Sequence, residues 1–148
     1  MLLVKTLHVI CAVLWLGNFV VTGVWSLRAF ALRDAALARF ATREILFTDL
    51  LFTFVGGSAV VMSGLGLAAL EGISPWATAW TRGALLTSIA SGIAWIALLL
   101  PIELRMRRLA EGGDDLALRK VFVWWNVVGW AITVALFSII YLMVAKPV

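Results

Sequence analysis

Apolar residues run almost unbroken over 3–25, 46–69, 82–103 and 121–144, and most of the charged residues fall between those runs or at their edges. Each run has the roughly 20 residues that an α-helix needs to cross a hydrocarbon core of about 30 Å. In lipid every backbone N–H and C=O must find a partner inside the protein, so the pattern predicts four transmembrane helices. Short connections make successive helices antiparallel neighbours. The expected fold is all-α, an antiparallel four-helix bundle forming one transmembrane domain over 1–148.

The connections refine that outline. The segment "LRAFALRDAALARFATRE" between the first two runs is Ala-rich and reads as helical extensions joined by a tight turn. "EGISPWATAW" carries Gly72 and Pro75 and reads as a short loop, while "ELRMRRLAEGGDDLALRK" breaks at Gly112-Gly113. The first and third connections hold Arg28, Arg33, Arg39, Arg43, Arg105, Arg107, Arg108, Arg119 and Lys120, nine of the twelve cations. The positive-inside rule therefore puts both termini on the non-cytoplasmic side, in a multi-pass protein of the bacterial inner membrane. The run from Leu7 to Trp25 is longer than a signal-peptide core and has no small-x-small cleavage pattern, so it is expected to stay as a span.

Composition agrees: 64% of residues are hydrophobic, 14% are charged, and the mean hydropathy is +1.06. The net charge of +4 is a topology signal rather than a nucleic-acid surface, and the lone Cys11 can form no intrachain disulfide. No nucleotide-binding glycine loop, catalytic carboxylate pair or nucleophile with its base is evident, which argues against soluble-enzyme chemistry.

Ionisable and polar side chains within spans are costly and mark candidate sites. His8, Cys11, Trp15, Asn18 and Thr22 follow steps of three and four along the first helix, so they share one face, expected to point inward. His8 has Ser63, Thr87 or Ser88, and Ser138 at similar depth on other helices, with Tyr141 one turn further out; it either hydrogen-bonds a serine across the bundle, faces the headgroups, or ligates haem iron. A second polar layer holds Asn18, Asp49 and Asn126, with Thr53 one turn from Asp49. Asp49 is expected to pair with Arg43 or Lys120, the alternative being a proton carrier, and the asparagines to bond across helices. Trp25, Trp76, Trp80, Trp124 and Trp125 fall where an aromatic belt belongs. Trp15, Trp95 and Trp130 lie at mid-membrane opposite Gly56-Gly57, as core packing or as walls of a slot for a flat porphyrin or quinone.

The first helix, read as K-x-x-H-x-I-x-x-V-x-W through Lys5, His8, Ile10, Val13 and Trp15, resembles that of the HemJ-type membrane protoporphyrinogen oxidases, and "RMRRLAEGG" is similar to the basic turn after their third helix. Where that family opens its third helix with a basic pair, "WTRGALL" has Arg82 alone. The whole outline, including "LGNFVVTGVW" and "LLPIELRMRRL", resembles more closely a family of predicted four-helix membrane proteins carried as a domain of unknown function, itself similar to HemJ and to the copper-resistance CopD membrane domain. The resemblance implies one haem b or porphyrin held through His8, with Trp15, Trp95 and Trp130 around it, and membrane redox or tetrapyrrole chemistry with quinone as a possible partner. The competing expectation is a non-catalytic subunit packed as a homodimer or against a larger membrane complex.

Overall fold

The computed structural model describes residues 1–146. Four helices are long and apolar enough to cross a membrane: α1 (Leu2–Ala31), α2 (Ala35–Leu70), α3 (Ala79–Gly112) and α4 (Asp115–Ala145). Each helix packs on its neighbours in sequence, and α1 with α4 closes the ring. Leu3, Val13, Val21, Val134 and Val144 are among the large apolar side chains left on the outside, facing lipid. Lipid is as apolar as leucine, so the bundle gains its cohesion from close packing and interhelical hydrogen bonds rather than from hiding oily surface.

Local chemistry fixes the ends of the helices. Asp34 accepts from Leu37 N at 2.9 Å and caps α2. Asp114 does the same for α4 through Ala117 N at 3.0 Å. Gly113 sits at φ +75°, the left-handed turn that lets α3 and α4 join through two residues. The α1–α2 turn occupies only 32–34, with Arg33 at φ 56°. The α2–α3 connection over 71–78 is longer, and Thr78 caps α3 by accepting from Thr81 N at 3.4 Å. Lys146 at the C-terminal end lies over the Trp80 ring, 5.4 Å from its centroid, and pins the last helix to the start of α3.

The helices reach further than the apolar runs. At the arginine-rich end all four pass beyond the hydrophobic stretch, so the first and third connections are mostly helix. Met106 and Leu118 are completely buried there, and Phe30 stacks on Phe122 with ring centroids 3.8 Å apart. Wide π-helical turns interrupt α2 over Asp49–Gly56 and α3 over Trp95–Leu99. In α3 the widened stretch immediately precedes Pro101, whose ring lacks an N–H and would crowd the carbonyl four residues back in a regular helix.

Rings laid on glycines set the closest approaches. A Cβ on Gly57 of α2 would come within 3.0 Å of Trp15 Cε2 and Nε1 on α1. Gly23 of α1 stands in the same relation to Trp130 of α4, at 3.1 Å. Gly64 of α2 does so for His8, again at 3.1 Å.

Candidate functional site

The inward row on α1 forms as its spacing requires: Trp15, Asn18 and Thr22 are buried, and His8 and Cys11 are half-buried above them. It meets two polar arrangements at different depths.

Near the terminal end, His8 Nδ1 lies 2.9 Å from Ser63 Oγ on α2. Ser63 directs its own hydroxyl to its helix backbone, at 2.6 Å from Ala59 O and 3.1 Å from Val60 O. Ser63 thereby ties the imidazole to α2 through Nδ1, with the direction of that hydrogen bond set by the imidazole tautomer. Of the other candidate partners, Ser88 bonds Ala84 O and Ser138 bonds Ala135 O, while Tyr141 is largely exposed. Met62, beside Ser63 in sequence, is exposed on the outside of α2.

Towards the arginine-rich end the polar groups converge. Asn18 Nδ2 donates to Asp49 Oδ1 at 2.6 Å and to Thr53 Oγ1 at 3.3 Å. Thr22 donates to Asn18 Oδ1 at 3.1 Å and so fixes which way the amide faces. Thr53 and Trp95 complete the shell of Asp49, at 3.3 Å from Oδ1 and 3.4 Å from Oδ2. Both π-helical turns contribute, one with Asp49 and Thr53, the other with Trp95. A second carboxyl faces Asp49 directly, that of Glu103 on α3. Trp125 Nε1 donates to Glu103 Oε1 at 3.1 Å, whereas Oε2 is buried without a donor. The two carboxyl residues are 3% and 1% exposed.

Two expectations are corrected here. Asp49 pairs with neither Arg43 nor Lys120. Six residues along a helix turn a side chain about 240°, so Arg43 points elsewhere and meets Glu111 at 3.4 Å. Trp125 is not part of an aromatic belt: α4 begins six residues before the apolar run, which carries Trp125 into the core at 6% exposure. Trp76 and Trp124, by contrast, are exposed as expected of boundary residues.

The remaining candidates have separate surroundings. Trp15 packs on Gly57, and its Nε1 is buried without a partner. Trp95 stacks on Phe54 at 6.2 Å between centroids while bonding Asp49. Trp130 rests on Gly23 and remains 37% exposed. Asn126 does not bridge helices: its Nδ2 returns to Phe122 O at 3.0 Å, and its Oδ1 is buried without a partner. Asp49, Asn126 and Trp130, with Thr22 and Thr133, line a crevice with room for about one water molecule.

Glu103 was the residue missed. It closes the apolar run before a basic stretch and looks like a boundary charge. The signal lay in the row Trp95, Leu99, Glu103, Met106 and Ala110, spaced 4, 4, 3 and 4, which is a helix face and is buried along its whole length.

Among the described residues no group of three or more His, Cys, Asp or Glu is placed to hold a metal ion. The chain belongs to the DUF2269 family of predicted integral membrane proteins, whose family model matches residues 2–147. No curated protein and no solved structure matches it.

Proposed function

From membership of that membrane family and the state of His8, we propose that the protein binds one haem b or related tetrapyrrole through His8 Nε2 and serves redox chemistry in the membrane, with a quinone as electron partner. One observation carries the reading: Ser63 holds the imidazole through Nδ1 and leaves Nε2 as the nitrogen free to ligate, the arrangement found behind metal-ligating histidines. A neutral imidazole nitrogen at this position would suit the iron of such a group. Haem supplies reversible one-electron chemistry when bound.

The chain's own contribution is positional. Ser63 holds the ring orientation, and Gly64 lets the ring lie close to α2. Lys5 stands three residues before His8 on the same side of α1, about 5–6 Å away at Cβ, where an ammonium can meet a ligand carboxylate at the membrane surface. Leu7 and Ile10 are exposed and offer apolar contact on either side of His8. Trp15, Trp95 and Trp130 support the helices that present this edge.

The test is a reduced-minus-oxidised spectrum of protein purified after expression with ample haem. The expected result is a Soret and α-band signal that is lost in His8→Ala and altered in Ser63→Ala. A wild type without a haem band, or a band unchanged in His8→Ala, would overturn the reading.

A further inference from the structure

The Asp49–Glu103 pair takes no part in that proposal and poses its own problem. Two carboxyl groups come together in the interior of a membrane protein, and among the described residues no Lys, Arg or His forms a salt bridge with either. Arg43 and Arg107 are engaged with Glu111, and Arg119 with Phe30 O. Two adjacent negative charges in a low-dielectric setting repel each other and lose their hydration, so the site needs one positive charge inside it.

The donors say where that charge goes. Asp49 receives hydrogen bonds from Asn18, Thr53 and Trp95, on both its oxygens, and these favour a carboxylate. Glu103 receives one, from Trp125 on Oε1. Its Oε2 is the only one of the four carboxyl oxygens without a donor, and it is fully buried. We propose that Asp49 and Glu103 form a proton-binding site, with one proton carried on Glu103 Oε2 and shared with the Asp49 carboxylate.

A second feature points to the same ligand. Asn126 Oδ1, buried and unpartnered, borders the crevice that reaches Asp49 between α1 and α4. That crevice has room for about one water molecule, which suits proton exchange. Paired carboxyls in a shared site hold a single proton between them, because two adjacent charges are unfavourable there. The site is independent of haem and of His8.

Infrared spectroscopy of the full-length protein in lipid bilayers at neutral pH tests this. The other six Asp and Glu residues lie in connections or near helix ends, partly or fully exposed to water. The expected wild-type spectrum contains a carboxylic-acid C=O band that shifts in D2O. Glu103→Gln removes it, because Asp49 with its three donors stays ionised; Asp49→Asn keeps it, displaced, because the proton remains on Glu103. Absence of the band in wild type overturns the proposal without recourse to any variant. So does a band that survives in Glu103→Gln, or a wild type without the band whose melting temperature rises on adding sodium, which would make this a metal-cation site.

Discussion

The two polar arrangements solve one problem in opposite ways. At His8 a single hydrogen bond occupies one ring nitrogen, the side chain is half-buried, and the other nitrogen is left open. At Asp49 four helices send side chains to a buried pair of carboxyls, and every carboxyl oxygen but one is engaged. The first arrangement is built to be completed by something from outside. The second is nearly complete in itself, with one buried carboxyl oxygen left open. Bundle stability should therefore depend strongly on the inner cluster and weakly on the histidine.

The largest test is Asp49→Ala, which strips the acceptor from three buried donors and leaves Glu103 alone. It is expected to cost about 3–5 kcal/mol, read as unfolding in mixed detergent micelles. Should His8→Ala cost as much as Asp49→Ala, the contrast between the two sites would be wrong. Next comes Gly57→Ala, whose methyl would push on Trp15 Cε2 and Nε1 at 3.0 Å. Overpacking at such a contact costs about 1–3 kcal/mol, whereas Gly66→Ala, with nothing within 4 Å, should be neutral or stabilising in the same assay.

A double-mutant cycle on His8 and Ser63 should return a smaller coupling, about 0.6 kcal/mol, as is usual for hydrogen bonds across membrane helices. Arg43→Gln should change least. Its pairing with Glu111 is exposed, so the loss of stability should be small and should fade as salt is raised.

The spans could be read from the sequence because lipid allows few alternatives to a long apolar helix. The inward face of α1 could be read because Asn18 and Thr22 continue the row begun by His8. Asn18 and Asp49, which share a depth in the sequence pattern, are hydrogen-bonded to each other. The partner of Asp49 was not found, because hydropathy ends a span where charge begins while α3 continues nine residues past Glu103. The same cause misplaced Trp125. The π-helical turns leave no trace in hydropathy; Pro101 is their one sequence sign, and it marks only the turn in α3. Tryptophans at one depth suggested a shared slot, but depth alone does not give azimuth, and each ring rests on a different neighbour.

The unequal connections have a practical consequence for handling the protein. The joins over 32–34 and 113–114 are almost fully used by capping and left-handed residues, so extra chain there must unwind a helix end. The loop over 71–78 has slack, with exposed Gly72 and Trp76. An epitope tag or reporter spliced into that loop should leave the fold intact, while the same insert at either tight join should abolish membrane accumulation, giving a direct route to labelling one face of the bundle in living cells.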